Sequence, residues 1–500
     1  MKILTAEQIR EVDALTIEQL PISSLGLMEQ AASAFVAWFI DRYSPKSRVV
    51  VVCGTGNNGG DGLAISRLLL EKNYEVEVFV IRSSGGASDD FIKNEERLSN
   101  LLTIQTITES SSVKDLSNSD IIIDAIFGSG LSRPVEGLYA NVIEAINASK
   151  ALVVAVDIAS GLLASRPVKE GAIIRPDHTV SFQIPKLAFF MPENEYYTGS
   201  WHMVDIGLAK AAIADQSTEW FMIDQEMIKP LIKRRNKYAH KGTHGKGLIM
   251  AGSYGKMGAA LLSARAALRA GIGLLTMYIP RCGYDIMQGH VPEAMVISDE
   301  GDHYLTSYAE VSGYGALGIG PGIGREKETM YGIMQAIQNF DKPVVVDADG
   351  LNIISDHREI LELLPEYSIL TPHPKEFERL VGAWDNDYVR LEKQVQFSKE
   401  NKVIVVLKGA HTSITMPEGI VYFNTSGNPG MATGGSGDVL TGVLTSLLAQ
   451  GYAPAEASLV GVYLHGLAAD IVAEQRGQIG MIASDLANSL PMAYRELSSN

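Results

Sequence analysis

Residues 428–442 read NPGMATGGSGDVLTG, five glycines in fifteen positions, with Asp438 as the one ionisable group among them. Glycines let backbone N–H groups close around an anion. Apolar residues recur at helical spacing from Val439 until Gly451, so the loop opens into an expected amphipathic helix whose dipole adds partial positive charge. A phosphate is the expected guest. A carboxylate in a first helical turn is also an ordinary cap. A bare phosphate cradle, however, suits Lys or Arg better than an acid. Asp438 fits if it takes the proton of a hydroxyl that attacks phosphorus. No Gly-Lys-Ser/Thr follows the glycines, so this is not a Walker A loop.

A second set of such residues lies near the N-terminus. GTGNNGGDG (54–62) satisfies G-x-G-x-x-G, a weak signal by itself. A dehydrogenase fingerprint needs an acid at the end of the next strand to hold a ribose. Here that strand ends Val80-Ile81-Arg82-Ser83-Ser84, without a carboxylate, which argues against hydride transfer. Asp124 precedes IFGSGLSRPVEG and Asp157 precedes IASG, each closing an apolar run. An Asp at a strand end can simply cap the next helix. Several on one rim, among glycine-rich loops, point instead to a site. Asn58, Asp61, Asp124, Asp157 and Ser160 are therefore expected to converge, and their oxygens suit a hard cation rather than zinc.

The elements that must position these groups follow a βαβ succession. Helices are expected at 5–20, capped by Thr5 with Gln8 three residues on, and at 26–41. Strands are expected at 49–53, 76–81, 121–125, 152–157 and near 201–205. The pattern weakens over 208–223, which serves as the boundary between domains 1–210 and 222–500. A basic segment, 229–246, contains Lys233, Arg234, Arg235, Lys237 and Lys241; it could steer an anion or form a solvated face. The second half again alternates, with strands at 247–252, 274–279, 316–319, 344–347, 368–370 and 403–407. Helices are expected near 257–270, 326–339, 374–382, 387–400, 438–450 and 454–474. The turns GPGIG, DADGLN, TPHPKE and KGAHT close strands at the same carboxyl-end rim. His465 reads as a packed, hydrogen-bonded core histidine, and His240 and His244 as loop residues. Each half is thus an α/β domain with a parallel sheet between helices.

Length and composition agree. Five hundred residues exceed one ordinary core. A net charge of −16 argues against nucleic acid as a partner. Two cysteines, Cys53 and Cys282, leave no disulfide framework and suit a reducing compartment. No secretory apolar core or membrane-spanning run is evident, so a cytoplasmic protein without a membrane partner is expected.

GTGNNGGDGLAISRLL, DAIFGSGLSRPVEG and VDIASGL resemble the epimerase domain of the bifunctional NAD(P)H-hydrate repair enzymes. HKGTHGKGLIMAGS, GPGIG, VDADGLN, LTPHPKEFERL, LKGAHT and NPGMATGGSGDVLTG resemble that family's dehydratase domain, a ribokinase-like module with a G-x-G-D anion hole. The resemblance spans nearly the whole chain and implies a Rossmann-like three-layer α/β/α domain followed by a ribokinase-like one. It implies repair of NADH and NADPH that have added water across a ring double bond. The first domain would interconvert the R and S hydrates. The second would dehydrate the S form with ADP, releasing AMP and phosphate.

Carried onto this chain, the resemblance gives Asn57, Asn58, Gly59, Gly60 and Asp61, with Gly128, Ser129, Gly130, Leu131, Ser132, Arg133 and Pro134, as contacts to the hydrate. Asn58, Asp124 and Ser160 match potassium ligands. Asp157 matches a substrate-contacting acid and is the expected proton-transfer group, with Lys186 as a second candidate. Ala259, Gly322, His373 and Asp438 match hydrate contacts of the dehydratase. Lys408, Gly409, Ala410, His411, Thr412 and Gly437 match the ADP site, and Asp438 becomes the general base. Glu376 and Asp347 are candidates for organising magnesium and water. One departure is Ala159, where the family carries Pro in VDIPSG. A homo-oligomer is implied as well. The competing reading is a ribokinase-like vitamin or sugar kinase fused to a non-catalytic dinucleotide-binding domain.

Overall fold

The computed structural model describes residues 1–82, 85–108 and 119–498, so Ser83 and Ser84 of the expected strand end lie outside the described residues. The chain divides into two compact units. One is Lys2–Trp220 with Asn386–Tyr388; the other is Phe221–Asp385 with Val389 onward and Met1.

In the first unit, continuous apolar runs become strands buried on both faces. These are β1 (Arg48–Cys53), β2 (Glu75–Ile81), β3 (Gln105–Ile107), β4 (Ile121–Ala125), β5 (Leu152–Val156), β6 (His178–Phe182) and β7 (Ser200–Val204). They form one sheet in the order β3-β2-β1-β4-β5-β6-β7, with every neighbouring pair parallel. Val49, Val51 and Cys53 pack into one core cluster, while Val50 and Val52, on the opposite face, are buried as well. The strand order reverses between β1 and β4, so the crevice at their carboxyl ends is where a ligand is expected. β3 and β6 are additions to the sequence reading. β3 is a three-residue edge strand with exposed Gln105 and Thr106. β6 buries Thr179 and Ser181, whose hydroxyls are satisfied by Thr198 O and Lys186, so it lacks an apolar signature.

One glycine-rich loop is not a loop. The helix Asn57–Glu71 begins inside GTGNNGGDG, placing Asn57 to Asp61 in its first turns. Gly59 is required there because a Cβ would lie 1.9 Å from the Gly54 carbonyl oxygen. The Thr5 capping box on helix Ala6–Gln19 forms as expected.

The second unit adds β8 (Trp220–Ile223), β9 (Lys246–Met250), β10 (Leu274–Ile279), β11 (Met295–Ser298), β12 (Ala316–Ile319), β13 (Val344–Val346), β14 (Ile369–Leu370), β15 (Ile404–Leu407), β16 (Ser413–Thr415) and β17 (Val421–Asn424). Their order is β11-β10-β9-β12-β13-β14-β15-β16-β17-β8. Pairing is parallel from β11 to β15 and antiparallel through β16 and β17, a departure from the all-parallel expectation. Ile249 and Val345 join one core, whereas Leu248, Met250, Val344 and Val346 join the other, so the sheet carries a packed layer on each face. The stretch 208–223, where the sequence pattern weakens, holds helix Lys210–Asp215 and β8.

Two helices correct the sequence reading. Ser436–Ala449 starts two residues before Asp438 and is buried at every residue from 439 to 449, so it is a central core helix rather than an amphipathic one. Pro454–Arg476 is long and apolar enough by composition to cross a membrane, contrary to the expectation that no run would be. Its apolar window is 72% buried inside this unit, where it packs as a core helix. The basic segment has a more local use. Lys233 donates to Gly451 O at 2.6 Å and Arg235 to Gly271 O, both carbonyls at helix C-terminal ends where cations are favoured. His240 caps a short turn, Lys241–His244.

Candidate functional site

In the first unit a cavity of about 930 Å³ opens at the carboxyl ends of β1 and β4. Asn57, Asn58 and Asp61 line it from the first turns of Asn57–Glu71, and Gly128, Ser129, Gly130, Leu131, Ser132, Arg133 and Pro134 from the loop after β4. Asp157 lines it from the end of β5. Gly59 and Gly60 are buried behind that surface, where Gly59 lets the helix start close to the β1 turn. A helix start leaves its first N–H groups without intrahelical partners, an arrangement suited to phosphates.

Asp157 is held in a left-handed conformation (φ 67°), which costs on the order of 1 kcal/mol for a residue with a Cβ. Its Oδ1 accepts from Phe182 N at 3.1 Å and from the ammonium of Lys186. Lys186 is 1% exposed and also donates to Ser181 Oγ at 2.7 Å. A buried cation committed to one carboxylate explains both residues: removing either would leave an unpaired buried charge.

Asp124 and Ser160 meet behind the cavity. Ser160 donates through Oγ (2.6 Å) and N (2.8 Å) to the two carboxylate oxygens of Asp124, and Phe127 N donates to Ser160 Oγ at 2.8 Å. Burial pushes the Asp124 carboxyl up to about 6 against these hydrogen bonds. Asn58 Nδ2 is buried with no hydrogen-bond partner among the described residues. Oxygen and nitrogen of an amide are assigned by their partners, so a half-turn presents an oxygen at that position. A buried carboxylate, a hydroxyl and an unsatisfied amide suit a hard, singly charged cation. Ala159, the departure from the family pattern, sits buried in the intervening turn, its carbonyl accepting from Leu162 N at 3.0 Å.

The second unit builds its site at the corresponding place, where strand order reverses between β9 and β12. Gly435 caps helix Ser436–Ala449 in the left-handed region (φ 94°), a conformation that glycine adopts freely. Asp438 follows in the first turn. Burial, with Asp347 and Asp349 nearby, pushes its carboxyl up to about 7 against the pull of Lys408. Asp347 is 1% exposed. It accepts from Lys408 Nζ at 2.7 Å through Oδ1 and from Thr441 Oγ1 at 2.8 Å through Oδ2. Gly437 adjoins both partners: a Cβ there would lie 3.2 Å from Lys408 Nζ and 3.5 Å from Asp347 Oδ2.

Gly322 (φ 61°) adjoins Ala259, bringing those two expected contacts together, and Lys256 bridges to Asp349 at 3.1 Å. His373 caps helix Pro374–Val381; its Nδ1 accepts from the N–H of Lys375 and Glu376, and its own N–H donates to Glu376 Oε2 at 2.8 Å. Burial, then Lys408, holds the imidazole below its ordinary range, while burial pushes Glu376 up. Lys408, Gly409, Ala410, His411 and Thr412 form the β15–β16 turn, closed by Thr412 Oγ1 on Gly409 N at 3.3 Å.

Among the described residues no three His, Cys, Asp or Glu side chains gather as a metal cage. The carboxylates of Glu376 and Asp347 instead suit a magnesium ion held largely by phosphates. Both Asp347 oxygens already have protein donors. Direct ligation there would use its remaining lone pairs. His465 is buried as expected but only half satisfied, since its Nε2 has no hydrogen-bond partner among the described residues.

The sequence reading missed Asp13, Lys256, Asp349 and Thr441. Lys256, Asp349 and Thr441 lie inside the turns and motifs GSYGKMGAA, DADGLN and NPGMATGGSGDVLTG, which could have found them, whereas Asp13 lies in an unremarkable helical pattern.

Comparison with known proteins closes the description. The family described as NAD(P)H-hydrate dehydratase matches residues 247–492, and that described as YjeF-related protein N-terminus matches residues 24–188. The bifunctional NAD(P)H-hydrate repair enzyme of Moorella thermoacetica is 36% identical over 99% of this chain and 97% of its own length. That of Escherichia coli is 32% identical over 97% and 92% respectively. A ribokinase-like superfamily protein from Enterococcus faecalis superposes with a TM-score of 0.50 at 24% identity, over 57% of this chain and 99% of its own, which bears on the fold of the second unit alone.

Proposed function

The chain belongs to the bifunctional NAD(P)H-hydrate repair enzymes, and from that premise we propose how its two sites divide the work. Residues 1–210 epimerise R- and S-NAD(P)H hydrate, and residues 222–500 dehydrate the S form at the expense of ADP.

In the first site the dinucleotide phosphates lie against the start of helix Asn57–Glu71 and the 128–134 loop, and the damaged ring meets Asp157. Asp157 exchanges a proton with the ring hydroxyl, and Lys186 fixes the carboxylate's position. Asn58, Asp124 and Ser160 would hold a potassium ion, whose charge would balance Asp124 and steady the turns that carry the phosphate loop and Asp157.

In the second site Ala259, Gly322 and His373 seat the hydrate, and Lys408, Gly409, Ala410, His411, Thr412 and Gly437 seat ADP. Asp438 takes the proton of the ring hydroxyl as that oxygen bonds to the terminal phosphorus of ADP and the bond to AMP breaks. N–H groups at the start of helix Ser436–Ala449 stabilise charge on the transferring phosphoryl group. The phosphate ester then leaves as phosphate, the ring nitrogen supplying electrons, and proton loss restores the double bond. Glu376 and Asp347 would help to organise a magnesium ion, which would supply neutralisation of phosphate charge during transfer.

The observation that supports this division most is the pairing of two acids, Asp157 and Asp438, each at the carboxyl-end crevice of its own sheet. Asp157→Asn tests it. The variant should lose accelerated R-to-S conversion by about 10²–10⁴-fold while S hydrate is dehydrated at the wild-type rate. Unchanged R-to-S conversion would remove Asp157 from the mechanism.

A further inference from the structure

We propose that Asp13, on helix Ala6–Gln19, is a second proton-transfer residue of the epimerisation, working with Asp157 at the same ring carbon; this rests on the reading of the first cavity given above. Ile9, Arg10 and Asp13 line that cavity from one helical face. The helix is anchored by other residues. Val12 and Thr16 are fully buried, and Thr16 Oγ1 accepts from Ala209 N at 3.0 Å. The Asp13 side chain makes no hydrogen bond or ion pair with any described residue. It is a half-buried acid on a substrate cavity, with no part in holding the fold.

Its surroundings suit the task. The charged groups around it are Asp157 just after β5, Lys186 in the turn that follows β6, Asp61 on helix Asn57–Glu71, Arg10 on its own helix, and Arg133 and Glu136 on the cavity wall after β4. Burial, reinforced by Asp157 and opposed by Lys186, pushes its carboxyl up to about 6. Asp61 is also pushed up, by burial first and then by Asp157, Asp13 and Asp90. Asp13 is thus a carboxyl on the cavity wall suited to hold and release a proton near neutral pH.

The chemistry asks for two such groups. The hydroxyl-bearing carbon of the hydrate adjoins the ring nitrogen. Asp13 gives its proton to the hydroxyl oxygen, the C–O bond breaks with its electrons going to oxygen, and water departs as the nitrogen lone pair forms a C=N bond. Water then bonds to the opposite face, the C=N electrons return to nitrogen, and the surplus proton passes to the Asp157 carboxylate. The reverse reaction starts from Asp157 protonated and Asp13 ionised, so atoms and charge balance in both directions.

The test uses the full-length protein without ADP, following R-to-S conversion of NADH hydrate by chromatographic separation of the epimers across pH. Asp13→Asn should lower kcat for epimerisation about 10²–10⁴-fold with KM little changed. It should also remove the limb of the pH profile centred near pH 6. Asp13→Glu should restore part of the rate and the limb. An Asp13→Asn protein that keeps wild-type rate and profile overturns the proposal. A slow variant that keeps the limb, and that Glu does not rescue, assigns Asp13 a packing role and overturns it too. Failure of the wild-type protein itself to epimerise rejects the reading of the cavity; a slow Asp13 variant beside an active wild type cannot be mistaken for that result.

Discussion

Asp438 shows how one environment sets both stability and activity. Its carboxyl holds a proton up to about pH 7 in the folded protein, against 3.8 as an ordinary Asp. The folded state therefore binds more protons than the unfolded state between these values. Stability from this group is present below the lower value and is lost as pH rises through the upper one. A general base must be ionised, so dehydration of S hydrate should rise with pH through about 7. Asp438→Asn should abolish that rise and lower the dehydration rate about 10²–10⁴-fold. The same variant should gain melting temperature over the wild type at about pH 8 relative to about pH 5. Stopped assays with calorimetry at the two pH values check both. At this scale the sequence was informative where chemistry coincided with punctuation: Asp438 after glycines, Asp124 and Asp157 at the ends of apolar runs. Asp13 was hidden because an acid inside a helix looks like solvent-facing filler until the fold shows what it faces.

At the scale of elements, parallel strands announced themselves by β-branched runs buried on both faces, and β4, β10 and β12 begin and end where the sequence placed them. What escaped were β6 with its inward Thr179 and Ser181, the short edge strand β3, and the short antiparallel strands β16 and β17. Glycine runs misled in one respect. They read as loop, yet GTGNNGGDG is where helix Asn57–Glu71 starts, since close approach to the Gly54 carbonyl demands glycine within a helical turn. Gly59→Ala tests that explanation. Its Cβ, 1.9 Å from Gly54 O, forces the helix start away from β1. The variant should lose about 2 kcal/mol, seen as a fall in melting temperature on the order of 5 °C for a unit of this size. R-to-S conversion should fall with it, whereas dehydration of S hydrate should not. A variant that melts and epimerises like the wild type would show that the phosphate-facing turn does not depend on this contact.

For the whole molecule, the repair reaction is split between two units, each with its own sheet, cores and acid. Inactivating one should leave the other intact, and the S hydrate made by one unit can be used by any active copy of the other. Asp157→Asn and Asp438→Asn proteins, each unable to repair R hydrate quickly alone, should do so when mixed, with a lag that shortens as total protein rises. No recovery in the mixture would mean that the sites do not act independently. The most direct test of the account is the recovery of reduced-nicotinamide absorbance after mixing the wild-type protein with R and S NADH hydrate, ADP and magnesium. Full recovery from both epimers, faster than spontaneous epimerisation supplies the S form, is the predicted result. Rapid recovery of the S fraction alone would contradict the assignment of the first unit, and no recovery with ADP or ATP would contradict the account as a whole.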